Sequence, residues 1–354
     1  MSDAAVFFAT NRNPNNPANP TDFLITDVKN TNPVRFGRAD LKDVDLEPEP
    51  DDKSDAVLTD LGARAQITTA QEVVDPQAGT VTATAGLPAF APMLVDLAGN
   101  PRDALFCVHG YDYTFRESVA RATQLQYWYS QGPYGMPLLV FLFAWPSLGE
   151  PPSTTTYAEE RNRARISGDA MGRALMQAAQ YVSQVIDPKR IHVLAHSMGN
   201  WALRWAVQSM QSFEGGKIPP LFDQVLLAAA DEDVDTLSQH DKLQPILAGC
   251  NRLSVYCNLY DWPLTASDWI SGNGDRLGAD GPANPQSLGK VTTISAAAVV
   301  DPVADSEQHQ YYRISPYLRR DILQVLQGKA DDAVEGRGNV RYGLKYVLTR
   351  APGA

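Results

Sequence analysis

The stretch RIHVLAHSMGNWALRWAVQSM, residues 190–210, opens as one kind of structure and closes as another. Ile191, Val193 and Leu194 are branched and apolar, as in a buried strand. From Trp201 onward, Ala202, Leu203, Ala206 and Met210 recur at helical spacing. Ser197 stands at the join, with Ala195 two residues before it and Gly199 two residues after. Small residues at those two places are what a sharp strand-to-helix turn requires, because neighbouring backbone passes close by. A serine at the tip of such a turn is presented outward as a nucleophile. A serine that merely caps a helix is the plainer alternative.

The flanking sequence decides between them. Short apolar runs at 104–108, 138–144, 191–195, 224–230, 253–259 and 291–296 alternate with helical segments. The runs are nearly continuous rather than alternating, which predicts strands buried on both faces of a parallel sheet. Thr114 and Glu117 stand in capping-box register. Thr156 and Glu159 repeat the pattern ahead of one long helix with the stripe Ile166, Ala170, Ala174, Ala178 and Val182. Ser315-Pro316 opens a last helix, with Gly328 as its expected C-terminal cap. Strands alternating with helices predict a doubly wound α/β fold. Residues 1–100 differ. Strand-like pieces at 6–10 and 34–37 are separated by Asn/Pro-rich turns, and 43–55 reads as an exposed acidic loop. We read 1–100 as a strand-rich extension packed on a single domain whose core is 101–354.

A serine hydroxyl needs a base. In the fold that this serine turn resembles, the order along the chain is serine, acid, histidine, which implies a base after Ser197. Of the five histidines, that leaves His240 and His309. His240 lies in the polar piece SQHDKLQP, whereas His309 follows the last predicted strand, and we favour His309. The acid should end a strand between them. Asp261, after VYCNLY, is preferred, and Asp231, after QVLLAAA, is held in reserve. Two backbone donors are needed for the oxyanion. Met198, after the nucleophile, and Tyr111, after His109-Gly110, are the candidates. Tyr113, Trp145 and Trp262 are candidate pocket residues, and 146–156 and 272–290 are candidate covering loops.

A net charge of −11 argues against nucleic-acid binding. No run reaches the length of a membrane span, and none resembles a signal peptide. Three scattered cysteines, Cys107, Cys250 and Cys257, form no metal-ligand spacing and suit the cytoplasm.

Taken together, FCVHGYDYTF (106–115), FLFAWPSLG (141–149), VLAHSMGN (193–200), VYCNLYD (255–261) and DSEQHQYY (305–312) resemble the α/β-hydrolase superfamily. With VFFATNRNP (6–14), they resemble a bacterial branch whose members are esterase- or lipase-like by fold. The resemblance implies a sheet of about eight strands, a Ser-Asp-His triad, no cofactor and no metal. It brings no substrate with it; the aromatic residues near the predicted site, Tyr111, Tyr113, Phe115, Trp145, Trp262 and Trp269, would suit a small-molecule ester with an apolar acyl or aromatic group. A thioesterase, amidase or acyltransferase would share the machinery. A binding protein that keeps the fold without catalysis is the alternative of another class. Ala195 departs from the superfamily's usual first glycine but is still small.

Overall fold

Apolar runs without alternation need cover on both faces, and the computed structural model supplies it. The structure describes residues 2–24, 33–44, 46, 55–71, 87–148, 153–187, 190–271, 274–338 and 345–350. Among the described residues, eleven strands pair into one sheet. In chain order they are β1 (Ser2–Thr10), β2 (Arg35–Val44), β3 (Gln66–Gln71), β4 (Asp103–Val108), β5 (Leu138–Ala144), β6 (Ile191–His196), β7 (Phe222–Ala228), β8 (Cys250–Cys257), β9 (Val291–Ser295), β10 (Arg337–Gly338) and β11 (Lys345–Leu348). Their order across the sheet is β10-β11-β9-β8-β7-β6-β4-β5-β1-β2-β3.

The eight strands from β11 to β1 run parallel, and β2, β3 and β10 join at the margins through antiparallel pairs. The expected count of about eight therefore matches the parallel part, and the sheet is larger by its margins. β1, although first in the chain, pairs with β5 in register Phe7↔Phe141 to Thr10↔Ala144.

The core lies on both sides of the sheet. Ala104, Phe106 and Val108 of β4 enter one cluster, while Leu105 and Cys107 enter the other. β5 divides the same way, with Leu139, Phe141 and Phe143 against Val140 and Leu142. Helices α1 (Phe115–Tyr129) and α6 (Pro316–Leu326) cover one face. Helices α3 (Gly168–Val182) and α4 (Met198–Phe213) cover the other. Between these in sequence lie α2 (Thr154–Ile166) and α5 (Trp262–Ser271).

The helix ends show where local reading succeeds. The Thr114–Glu117 box caps α1 as expected, and Ser315 caps α6 with Gly328 left-handed beyond its end, at φ 77°. The second box is displaced. Ser153 is the cap of α2, and Thr156 is its reciprocal partner, with Ser153 N–H donating to Thr156 Oγ1 at 2.7 Å. The expected single long helix is two, parted at Ser167. Gly168 lies against Trp205 of α4, where a Cβ would come within 2.4 Å of the Trp205 Cβ. In the acidic stretch 43–55, residues 43–44 end β2 and Leu46 is buried. Residues 45 and 47–54 lie outside the described residues.

Among the described residues, no helix is long and apolar enough to cross a membrane.

Candidate active site

In a parallel sheet, the loops at the carboxyl ends of the strands share one edge, and ligands bind there. Here that edge collects the ends of β1, β4, β5, β6, β7, β8 and β9. It also collects strain. Among the described residues the non-glycine residues with positive φ are Asp112 (64°), Ser197 (53°), Ala229 (46°) and Gln308 (54°). They follow β4, β6 and β7 and precede His309. Such conformations persist only where surrounding contacts hold them, and they gather at functional sites.

Ser197 joins β6 to α4 directly, at φ 53° and ψ −129°. Its N–H donates to Ala228 O at 3.0 Å, and its carbonyl accepts from Asp231 N–H at 3.2 Å. Asn200 Nδ2 donates to the carbonyls of Ala195 and Ser197, both at 3.1 Å. The turn is thus tied to β6 and β7 and locked across its own mouth. The small residues have the expected cause. A Cβ on Gly199 would sit 2.5 Å from His109 O and 2.8 Å from Val108 O. Both are backbone atoms and cannot yield. Gly199→Ala is therefore expected to destabilise the protein by about 1–3 kcal/mol, the cost of overpacking a close-packed contact. A lowered urea midpoint with an unchanged slope would register it.

His309 and Asp261 meet from separate loops. Asp261 stands at the amino end of α5, where its Oδ1 accepts from Leu264 N–H at 3.1 Å. His309 Nδ1 lies 2.9 and 2.8 Å from the two Asp261 oxygens. A carboxylate only accepts, so the proton is on Nδ1, and Nε2 keeps its lone pair. Both groups are buried. Burial works against the His309 cation, but attraction and hydrogen bonding to Asp261 outweigh it and raise the pKa above 6.5. Burial likewise pushes the Asp261 carboxyl up.

Loop 301–309 is anchored backbone to side chain. His309 N–H donates to Asp305 Oδ1 at 3.0 Å, and Asn258 Nδ2 donates to Gln308 O at 2.9 Å. His196, the residue before Ser197, lies 3.1 Å through its Nε2 from His309 O. The two imidazole centroids are 4.7 Å apart. Burial drives the His196 pKa well down, so it is a neutral donor to that carbonyl. Sequence reading assigned His196 no part, because a bond to a distant carbonyl leaves no spacing signal.

Other expectations sort as follows. Met198 is the first residue of α4 and is buried. Tyr111 follows Gly110, whose added Cβ would lie 2.9 Å from the Ser197 Cβ. Trp262 is 67% exposed beside Asp261. Tyr113 is buried and gives its hydroxyl to Gln310, whose Nε2 donates at 2.8 Å. Trp145 is a correction. It is fully buried, stacked on His109 at 5.1 Å and 8°, with its indole N–H donating to His109 O at 2.8 Å. It fills the space beneath the His109-Gly110 turn and offers no surface to a pocket.

Asp231, the reserve acid, is committed elsewhere. It accepts from Tyr157 Oη at 2.8 Å and Ser267 Oγ at 2.6 Å, with Arg161 and Arg276 each 3.7 Å away. His240 is exposed and paired with Gln211, as its polar surroundings suggest. Of the covering loops, 149–152 and 272–273 lie outside the described residues. The remainder of 272–290 is tied to the sheet by Gly278 N–H donating to Ala230 O at 2.9 Å. A cavity of about 330 Å³ lined by Ala4, Arg38, Arg102 and Leu138 lies at the opposite, amino edge of the sheet, remote from these groups.

No curated protein matches the chain. Among solved structures it is similar to the carboxylesterase EstE1 from a metagenomic library, at 14% identity and a TM-score of 0.32, covering 64% of this chain and 78% of that one. It is similar to the Pyrobaculum calidifontis esterase, at 12% identity and a TM-score of 0.34, covering 80% and 99%. It is also similar to the RedJ thioesterase of Streptomyces coelicolor, at 18% identity and a TM-score of 0.23, covering 62% and 80%. The family model described as alpha/beta hydrolase of unknown function (DUF900) matches residues 96–326, from before β4 to the end of α6. With that match laid over this parallel sheet, the chain belongs to the α/β-hydrolase family of that description.

Proposed function

We propose that the protein is a serine hydrolase that cleaves carboxylic esters through an acyl-enzyme on Ser197. One observation carries the reading. A His309–Asp261 pair, with the imidazole proton fixed on Nδ1, is tied through His196 to the strained turn that presents Ser197.

In this reading, His309 Nε2 takes the Ser197 hydroxyl proton as Oγ attacks the ester carbonyl. Asp261 stabilises the imidazolium that forms. The N–H groups of Tyr111 and Met198 hold the oxyanion, and loss of one such donor costs about 100- to 1000-fold in turnover. The carbon–oxygen bond to the alcohol breaks, and the imidazolium returns the proton to the leaving alkoxide. Water, deprotonated by His309, then attacks the acyl carbon and releases the acid and free Ser197. No cofactor enters these steps.

The exposed apolar groups Leu259, Tyr260, Trp262 and Trp269 lie on either side of Asp261 in the chain and favour a substrate with an apolar acyl or aromatic group. The three cysteines are buried and form no disulfide, which suits a reducing cytoplasm.

Reaction with a small fluorophosphonate tests the reading without knowledge of the substrate. A stoichiometric adduct on Ser197 in the native protein, absent after heat denaturation, is the expected result. No adduct after prolonged exposure, together with no turnover of short-chain p-nitrophenyl esters, would move the protein to the non-catalytic class. Parallel rates on matched esters, thioesters and amides separate esterase from thioesterase or amidase.

A further inference from the structure

β1 ends at Thr10 and runs on into Asn11-Arg12, part of the VFFATNRNP stretch, and none of the steps above uses these residues. Its side chains nevertheless point at the loops of the site. Thr10 Oγ1 donates to Ala144 O at 2.6 Å, fastening β1 to the end of β5. Asn11 Nδ2 donates to Ser167 Oγ at 3.0 Å. Arg12 is 2% exposed. Its Nη2 donates to Tyr113 O at 2.6 Å and its Nη1 to Ser147 O at 3.2 Å. Ser147 Oγ in turn accepts from Tyr113 N–H at 3.2 Å, so both backbone groups of Tyr113 are held. The Tyr113 hydroxyl accepts from Gln310, the residue after His309. Asp112, between Tyr111 and Tyr113, is held at φ 64°.

A buried guanidinium is a costly way to fill space, since an apolar residue of similar volume would avoid the desolvation. Burial lowers the Arg12 pKa to about 10, with Glu160 opposing it. What arginine adds is a planar fork that fixes two acceptors relative to one another, which a lysine ammonium does not. The two acceptors here belong to the turn after β4 and the turn after β5.

We propose that Arg12 is a positioning residue that fixes the 110–113 turn so that the Tyr111 N–H stays aimed at the oxyanion, with Tyr113 carrying the same constraint to the His309 loop through Gln310. The inference rests on the hydrolase reading above. Its consequence is that a residue just past the first strand, more than ninety positions before the turn it holds, sets the turnover rate without touching substrate.

Arg12→Lys tests it, because the charge opposite Glu160 is retained and only the fork is lost. With a p-nitrophenyl ester, kcat should fall about 100-fold, the scale expected for a displacement of about 1 Å at a reacting group. KM should stay within a factor of about two, because the oxyanion contact is made only in the transition state. The affinity for a trifluoromethyl ketone, which forms a tetrahedral adduct on the serine, should fall in parallel with kcat/KM. Ser147→Ala, which releases the Tyr113 N–H without touching a charge, should give a smaller loss of kcat in the same direction, and it serves where Arg12→Lys fails to fold.

A folded Arg12→Lys protein with wild-type kcat and inhibitor affinity would overturn the inference, as would a loss confined to KM. If Arg12→Lys does not fold, wild-type kcat in Ser147→Ala overturns it. Fluorophosphonate labelling of the wild type separates the two levels. Labelling at Ser197 with unchanged variants removes the positioning role alone, and a wild type with neither labelling nor ester turnover removes the hydrolase reading with it.

Discussion

Ser197→Ala is expected to lower kcat by about a million-fold while leaving the fold intact. The size follows from the way the parts act as a unit. Without the nucleophile, the base has no proton to take and no covalent intermediate forms, so what remains is binding and the oxyanion donors alone. The fold should survive because the Ser197 backbone bonds do the local holding. Its N–H reaches Ala228 O and its carbonyl accepts from Asp231 N–H, and neither needs the hydroxyl.

A companion variant separates the chemistry from the strain. At φ 53° and ψ −129°, Ser197 occupies a region that glycine enters freely and side chains rarely adopt. Ser197→Ala keeps that penalty, whereas Ser197→Gly removes it. Strain of this kind costs of order 1–3 kcal/mol. The glycine variant should therefore be equally inactive and yet unfold at a higher urea concentration than the alanine variant. Equal midpoints for the two would mean that the turn is not strained in solution. Persistent turnover in either, at more than about a thousandth of wild type, would remove Ser197 as the nucleophile.

How much of this was legible in the sequence depends on whether the signal is local. The strands at β4 to β9 are continuous apolar runs because both faces are covered, and that leaves a pattern in a single segment. The strand-to-helix turn is equally local as a pattern, with Ser197 between the small residues Ala195 and Gly199, although the atoms that keep Gly199 small belong to Val108 and His109. The pairing of His309 with Asp261 was reachable from chain order, because strand ends on one edge must supply both.

What escaped depends on contacts over long separations. β1 inserts beside β5 across more than a hundred residues of chain, and nothing near residues 6–10 announces a parallel partner. Arg12 sits in a run of Asn and Pro that reads as a turn, and its acceptors are main-chain carbonyls, which every residue has. Trp145 was assigned to the pocket by nearness to a motif, and only the stacking with His109 shows that it lies under the turn. Asp231 ends a strand as a catalytic acid should, and it is the hydroxyls of Tyr157 and Ser267 that occupy it. The break at Ser167 is equally silent in the sequence, since the apolar periodicity runs through it and the close approach of Gly168 to Trp205 is made with a different helix.

Asp261→Asn is the second large effect, and it carries its own signature in pH. In the wild type the carboxylate can only accept, so His309 keeps its proton on Nδ1 and turns the Nε2 lone pair toward incoming protons. An amide can donate to Nδ1 instead, which moves the imidazole proton to Nε2 and leaves no base facing the serine. Loss of the correct tautomer with the geometry preserved costs about 10,000-fold in kcat.

The pH dependence gives the sign. The neutral imidazole is the active form, so kcat/KM should rise with pH along a single limb. Asp261 raises the His309 pKa, so that limb should be centred above 6.5 in the free enzyme. Removing the negative charge removes what opposes burial. The residual activity of Asp261→Asn should therefore titrate at lower pH than the wild type, with a limb displaced toward acid and a much lower plateau. His309→Ala should have no such limb at all. A wild-type limb well below 6.5, or an Asp261→Asn limb displaced toward alkaline pH, would mean that the acid acting on His309 is not Asp261.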